Sequence, residues 1–340
     1  MADGLIEIDG SRGEGGGQIL RTSLALSMIT RRPLVMRRIR AGRKKPGLQR
    51  QHLACVEAAA QLCHAHVKGA EPHSQELEFT PGADYSEHLT LDIGTAGSTT
   101  LVVQTVLVPA IVSGRALKAT VTGGTHNPLA PPFEFLDRVF LPHLRAMGAH
   151  VTLTLDRHGV MPNGGGRVSI DVRPASKLRE IAVLEGGPIT GKRAKVIVAR
   201  LPTHVADREL AVVRERFKVS PDDCETIDVN GGPANVLMIE IERAGSREVV
   251  TGHGEKGLRA ELVAERACDE MQRYLDADAP VGEHLADQLL LPMAIAGGGR
   301  FRAAGPLSLH ATTNIDTIRL FLDVPIRVEP VGDAVDVIVG

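Results

Sequence analysis

Three stretches of this 340-residue chain run through the same order of sequence patterns, and a repeat of that kind commits a chain to stacking copies of one unit. In the first, the apolar run Leu20–Ile29 reads as a helix and Leu34–Ile39 as a strand. The loop AGRKKPG follows, then a helix over Leu48–Cys63 and a strand over Glu76–Phe79. In the second, Ser98–Val112 reads as a helix, Leu117–Val121 as a strand, GGTHNP as a loop and Phe133–Met147 as a helix. Strands Val151–Leu155 and Val168–Val172 come next. In the third, Leu285–Ile295 is a helix, Phe301–Ala303 a short strand, LSLHATTN a loop and Asn314–Leu322 a helix. Strands Ile326–Val328 and Ala334–Val339 close the chain. Such units bury their apolar faces against each other.

The spacing is uneven. Leu20 to Ser98 is about 78 residues, whereas Ser98 to Leu285 is far longer. The excess has a pattern of its own: strand Lys195–Ala199, helix Ala206–Phe217, strand Val236–Glu242 and helix Gly257–Leu275. The expected class is therefore α+β. It comprises three repeated βαβα-type units, each a helix pair packed on a four-stranded sheet, with a smaller inserted α/β domain. The expected main domain is 1–185 plus 279–340, with repeats at about 1–80, 81–185 and 279–340, and the inserted domain is 186–278. Two domains agree with a prior of about 150 residues per domain.

Composition narrows the function. Lys+Arg 39 against Asp+Glu 41 excludes a chain that is basic all over, but leaves room for a local basic site. Aromatics are 3% with no Trp, too few for a protein that stacks bases on aromatic platforms. Any nucleic acid would be gripped by its phosphates. Cys55, Cys63, Cys224 and Cys268 form no Cys-x-x-Cys pair, so zinc ribbons and redox motifs lack support, and sparse Cys fits a reducing compartment. The stretch 1–10 has acids and no apolar core, unlike a signal peptide, and no apolar run reaches about 18 residues. A cytoplasmic protein is expected.

Four segments could carry chemistry. Arg31–Arg50 holds nine Lys/Arg and no acid. A charge run is ordinarily a solvated face, yet Arg40, Arg43, Lys44 and Lys45 crowd a Gly-containing loop on a slightly acidic body, which suits capture of a phosphate. RGEGGGQILRT (Arg12–Thr22) is a Gly-rich turn entering a helix, able to present N–H groups to an anion. Gln18 stands where a dinucleotide fingerprint needs its third Gly. Arg21 lies three residues past Gln18, so a helix points both the same way. GGPITGK (Gly186–Lys192) matches a P-loop pattern, but Arg193 replaces the magnesium-holding Ser/Thr and no convincing strand precedes it, so a solvated turn is the better reading. Finally, His284, Asp287 and Gln288 open the third repeat and His310 lies in its loop. That loop corresponds to the basic loop of repeat one and to Thr125-His126-Asn127 of repeat two. Loops related by pseudo-symmetry could meet in one cleft, where His310 could be base, ligand or nucleophile. Cys63-His64-x-His66 has too few neighbours for a metal site and reads as surface.

The stretches GSRGEGGGQILRTSLALS, IRAGRKKPGLQRQHL, GTAGSTTLVVQTVL, GGTHNPLAPP, HLADQLLLPMA and LHATTNI, in this order, resemble the RNA 3'-terminal phosphate cyclases from Ile6 to the end of the chain. The family fold is three repeated α/β units, like the C-terminal domain of a bacterial translation initiation factor, with a smaller inserted domain. The resemblance implies ATP-dependent conversion of an RNA 3'-phosphate to a 2',3'-cyclic phosphodiester. His310 would attack the α-phosphorus of ATP and leave a covalent histidinyl-AMP. AMP would pass to the RNA 3'-phosphate, and the ribose 2'-OH would then expel it.

The same resemblance assigns the remaining residues. Glu14 and Asp287 would lie near a divalent cation, Mg2+ or Mn2+. Gln104, Pro131, His284, Leu285, Ala286, Asp287 and Gln288 would form the adenylate pocket. Arg21, Arg40, Arg43 and Gln51 would hold the terminal phosphate. His126, before Asn127, is a variable position in the family and receives no catalytic role. The partners implied are ATP and RNA with a 3'-terminal phosphate, with no membrane and no obligate protein partner. The alternative is a non-catalytic RNA-binding relative acting in RNA or ribosome maturation. That branch lacks the nucleophilic His, so His310 argues against it. A P-loop hydrolase built on Lys192 and an enolpyruvyl transferase are weaker rivals.

Overall fold

The computed structural model describes residues 4–175 and 177–340. Residues 1–3, part of the stretch read as unlike a signal peptide, lie outside the described residues. The chain begins with β1 (Ile6–Asp9), α1 (Gly17–Thr30), β2 (Leu34–Arg37), α2 (Arg50–Cys63), β3 (His66–Lys68) and β4 (Leu77–Thr80), and these strands lie in the order β1-β2-β4-β3. Next come β5 (His88–Asp92), α3 (Thr99–Val112), β6 (Leu117–Gly123), a π-helical stretch Phe135–Phe140 running into α4 (Leu141–Ala146), β7 (His150–Arg157) and β8 (Gly166–Arg173), in the order β5-β6-β8-β7. After β9 (Ala182–Val183), a different sheet intervenes. It is built from β10 (Ile189–Ala199), α5 (His204–Phe217), β11 (Cys224–Asp228), β12 (Ala234–Arg243), β13 (Arg247–His253) and α6 (Ala260–Asp276), in the order β11-β10-β12-β13. The chain ends with α7 (Glu283–Ala296), β14 (Gly299–Ala304), α8 (Leu309–Phe321), β15 (Ile326–Val331) and β16 (Ala334–Val339), whose sheet runs β9-β14-β16-β15. In all four sheets the first two strands are parallel and the other pairings antiparallel; the intervening sheet differs in strand order, running 2-1-3-4 by chain sequence where the others run 1-2-4-3.

The burial pattern explains the layers. Ile6 and Ile8, Leu34 and Met36, and Leu77 and Phe79 are buried alternately along their strands, so one sheet face meets helices and the other meets solvent. Helices α1 and α3 are apolar on nearly every side and are enclosed on nearly every side, with α1 against α2, α3 and α8. One core joins the three similar sheets to α1–α4, α7 and α8. A separate core lies between the intervening sheet and α5 and α6. The other face of that sheet sets Ile197, Ala199, Val236 and Met238 against Val160, next to β7 and β8.

The mixed α+β character agrees with the sequence reading, and several details differ from it. Strands β1, β3, β5, β9, β11 and β13 went unread, because two to seven residues beside charged or turn residues give little periodicity. The third sheet starts at Ala182, well before residue 279, because β9 pairs in parallel with β14. Gly186–Lys192 is neither a P-loop nor a solvated turn. Ile189 opens an eleven-residue strand, no helix follows to cradle phosphate, and Lys192 Nζ donates to Phe217 O at 2.9 Å. LSLHATTN is not a loop throughout. Ser308 Oγ accepts from Ala311 N at 3.2 Å and caps a helix from Leu309, so His310 lies in its first turn. Among the described residues no helix is long and apolar enough to cross a membrane, and no group of three or more His, Cys, Asp or Glu could hold a metal ion, the His64–His66 segment included.

Candidate active site

The Gly-rich turn is shaped by its partners. Gly13 and Gly15 take φ +56°, open to glycine at little cost. A Cβ on Gly13 would lie 2.1 Å from Thr313 Oγ1, the hydroxyl that accepts a hydrogen bond from Glu14 N at 3.0 Å. The turn is thus docked on α8, one turn past His310. Gly16 caps α1 without a side chain, and Glu14 supplies the missing acceptor, Oε1 taking a hydrogen bond from Gln18 N at 3.1 Å. A carboxylate there also suits the positive end of the helix.

The basic loop closes on this turn. Arg43 Nη2 reaches Glu14 Oε2 at 2.8 Å and Glu14 O at 2.6 Å. Arg40 is turned inward, donating to Lys45 O at 2.6 Å and Gly47 O at 2.9 Å. Burial and the Arg43 charge lower its pKa, so in this structure it shapes the loop. Gln51 donates to Ser98 O at 3.1 Å, and its Oε1 is buried without a partner. His52 was not singled out from sequence. Burial, with the Arg40 and Arg21 charges, pushes its pKa to about 3, so it is a neutral neighbour of Arg21.

Helices α7 and α8 supply the opposite wall. Asp287 is buried, and its Oδ1 accepts from Gln18 Nε2 at 3.1 Å, while Gln18 Oε1 accepts from Arg21 Nη2 at 2.6 Å. Gln18 therefore joins the acid of α7 to the arginine of α1. Burial pushes the Asp287 carboxyl up to about 7, Arg21 opposes this, and Glu14 adds to it by repulsion. Asn314 Nδ2 donates to Asp287 O at 2.8 Å and ties α8 to α7. Gln288 Oε1 and Asn314 Oδ1 are buried without partners.

Gln18, Arg21, Gln104, Asp287, Gln288 and Asn314 line one cavity of about 40 Å³, which is therefore built from α1, α3, α7 and α8. Of the residues expected in the site, the cavity takes in Arg21, Gln104, Asp287 and Gln288. Glu14 and Arg43 are reached through Gln18 and the Gly-rich turn. His310 is exposed and lies four residues before Asn314, on the same helix side. His284 is exposed at the start of α7, its ring edge toward Phe135 at 6.5 Å between centroids. Pro131 is half-buried and its carbonyl accepts from Thr100 Oγ1 at 2.7 Å. Leu285 and Ala286 point into the core, leaving only their backbone for a ligand. Sequence reasoning assigned no role to Asn314 or Thr313. The signal was present in their distance from His310, one helical turn or just under.

Comparison with known proteins gives one answer. The family described as RNA 3'-terminal phosphate cyclase matches residues 12–328. A protein named RNA 3'-terminal phosphate cyclase from Koribacter versatilis is 44% identical over 95% of this chain and 92% of its own length. Those from Ectopseudomonas mendocina and Pseudomonas fluorescens are 47% and 45% identical, covering 96% and 98% of this chain and 95% and 97% of their own. The enolpyruvyl transferase NikO from Streptomyces tendae overlaps at TM-score 0.39 with 14% identity, covering 99% of this chain and 48% of its own, a likeness too loose to bear on function. With near-complete matches at 44–47% identity, this chain belongs to the RNA 3'-terminal phosphate cyclase family.

Proposed function

We propose that the chain is an enzyme converting an RNA 3'-terminal phosphate to a 2',3'-cyclic phosphodiester, with ATP as co-substrate and His310 as the nucleophile. The observation that carries this reading is the cavity where Arg21, Gln104, Asp287 and Gln288 meet, one helical turn from an exposed imidazole. A phosphate monoester has no good leaving group, and adenylation supplies one. Transfer through His310 splits one difficult substitution into two. The first forms a phosphoramidate bond and breaks the α–β bond of ATP, releasing pyrophosphate. The second gives AMP to the RNA 3'-phosphate and frees the imidazole. Attack by the neighbouring 2'-OH then forms the cyclic diester, releasing AMP, and being intramolecular it loses little entropy.

In this reading Arg21 and Arg43, with Gln51, hold the terminal phosphate, and Arg40 holds the loop that presents Arg43. Gln104, Pro131, His284, Gln288 and the backbone of Leu285 and Ala286 form the adenylate pocket. Glu14 and Asp287 would hold a divalent cation, Mg2+ or Mn2+, which when bound neutralises phosphate charge. The fit is supported by the Asp287 carboxyl, whose ionisation is disfavoured by burial and by the Glu14 charge, and by the partnerless Gln288 Oε1 in the same cavity. We also read the three similar sheets, with their helices, as copies of one unit forming a main domain, 1–185 plus 279–340, around an inserted domain, 186–278. Four free cysteines agree with a reducing, cytoplasmic setting.

The test uses ATP labelled at the α-phosphate. The protein, incubated with label and a divalent cation and then denatured, is expected to carry acid-labile, alkali-stable label that His310→Ala abolishes. A folded, ATP-binding wild type that takes up no label would favour the non-catalytic RNA-binding alternative instead.

A further inference from the structure

Behind the 124–132 loop lies a buried polar chain that none of the roles above uses. His126 has a fully buried side chain, and its Nε2 is 2.7 Å from Glu134 Oε2. Its Nδ1 is 2.7 Å from Thr125 Oγ1, which itself accepts from Gly159 N at 2.9 Å. Nε2 donates its proton to the carboxylate, and Nδ1 faces the threonine hydroxyl, which also lies 3.2 Å from Gly159 O. The His158 ring stacks on His126 at 5.5 Å between centroids. Burial disfavours a charged Glu134, but the hydrogen bond from His126 and the charges of His126 and Lys195 hold its carboxyl down to about 2.

Lys195 is the member that comes from elsewhere. It lies on β10, and its Nζ is 3.4 Å from Glu134 Oε1 and 3.5 Å from Glu225 Oε2. A second ion pair crosses the same seam, Arg138 Nη1 to Glu240 Oε2 at 2.6 Å. Both pairs flank a cavity of about 150 Å³ lined also by Arg193 and Glu225. The seam therefore combines a few directed ion pairs around open space with the apolar contact of Val160 on Ile197 and Ala199. Both ion pairs end on the stretch 134–138, immediately after the loop. The 124–126 end of the loop is also held by Thr99 N to Gly124 O at 2.8 Å, Thr125 N to Gly159 O at 2.7 Å and a bridge from His126 to Val160, and the rest by Phe133 N to Thr125 O at 3.2 Å, Thr100 Oγ1 to Pro131 O at 2.7 Å, and Asn127 Nδ2 to Ala96 O. Between them Leu129 is fully exposed.

We propose that the inserted domain sets the position of the 124–132 loop, and with it the Pro131 side of the nucleotide pocket, through the chain Lys195–Glu134–His126. Lys195, Glu134 and His126 are positioning residues: they act through the loop that carries Pro131. The proposal rests on the adenylate-pocket reading for its catalytic consequence, but its structural half stands alone. Removing the Lys195 charge leaves Glu134 buried with one partner fewer, and the stretch following the loop loses its ion pair to β10.

The experiment compares wild type with Lys195→Met, Lys195→Arg, Glu134→Gln and the Lys195→Met/Glu134→Gln double variant, all in the full chain. Hydrogen exchange across 124–136 is expected to quicken at least about tenfold in Lys195→Met, while β6 and α3 amides exchange as before. Lys195→Arg restores protection. In self-adenylation, the ATP concentration for half-maximal rate is expected to rise about tenfold with the saturating rate within about twofold. The double variant is expected to be no worse than the worse single one, since both break the same chain. Unchanged exchange in a folded Lys195→Met overturns the proposal, as does faster exchange spread evenly through the protein. A wild type that never self-adenylates defeats the function reading, and the exchange result still decides this one.

Discussion

At the residue scale, the site works by having each charged group answered by a named partner. Gln18 is the clearest case. Its amide nitrogen serves Asp287, its amide oxygen serves Arg21, and its backbone N–H is taken by Glu14. Gln18→Glu would put a negative charge beside Asp287 and remove the N–H it accepts from, so we expect self-adenylation to fall at least about tenfold. Gln18→Ala is expected to fall less, because water can replace a missing amide more easily than it can screen a buried like charge. Equal losses in the two variants would show that the amide, and not the charge, matters. Arg43 gives a second prediction. It is half-exposed and pairs with Glu14 at the rim, so Arg43→Ala should slow transfer of AMP to RNA more than it slows loading of AMP onto the protein. Rates of the two steps, measured separately, check this, and equal slowing would remove Arg43 from the RNA-phosphate site.

At the element scale, the Gly-rich turn and α8 are one assembly. Gly13→Ala places a methyl carbon at 2.1 Å from Thr313 Oγ1 on a backbone with φ +56°. Either fault alone costs of order 1–3 kcal/mol, so the variant should melt several degrees lower. It should also lose self-adenylation, since the clash falls one turn from His310. Gly13→Ala paired with Thr313→Ala would recover part of the melting temperature by removing the clash but not the φ penalty. How far such elements were legible depended on the range of the forces that build them. The apolar runs of α1 and α3 announced buried helices, and the three-residue step from Gln18 to Arg21 announced their contact, because both are local. The pairing of Gln18 with Asp287, 269 residues apart, leaves no local mark in the sequence and is seen only in the structure. The two-residue β9 carries no period at all. Ser308 is a helix cap three residues before Ala311, so the residues read as a loop around His310 form the first turn of α8.

At the scale of the whole molecule, the buried acids set how stability changes with pH. Glu209 of α5 is pushed up to about 7 by burial, although Asn235 Nδ2 donates to it at 2.5 Å. Glu248 of β13 is pushed up to about 8, again by burial, against the start of α7, where a Cβ on Gly282 would fall 1.8 Å from its Oε2. Below about pH 4.5 the folded and unfolded chains both keep these protons, so the groups favour neither. Above that, the unfolded chain releases them while the folded chain retains them up to about pH 7 and 8. Raising the pH through this window therefore favours unfolding, by about 1.4 kcal/mol per pH unit for each retained proton. Glu134 acts in the opposite sense, its carboxyl being held down to about 2, so its stabilisation is present above about 4.5 and lost as the pH falls toward 2. Denaturant midpoints should thus pass through a maximum on the acid side of neutrality and fall between pH 6 and 8.5. Glu248→Gln keeps the size of the side chain and removes the proton, so its midpoint should fall less over that interval. Because Glu248 belongs to β13 and abuts α7, the wild-type fall should be seen in exchange at the start of α7 as well as in β13. A Glu248→Gln curve parallel to wild type from pH 6 to 8.5 would mean that Glu248 ionises in the folded protein no later than in the unfolded one.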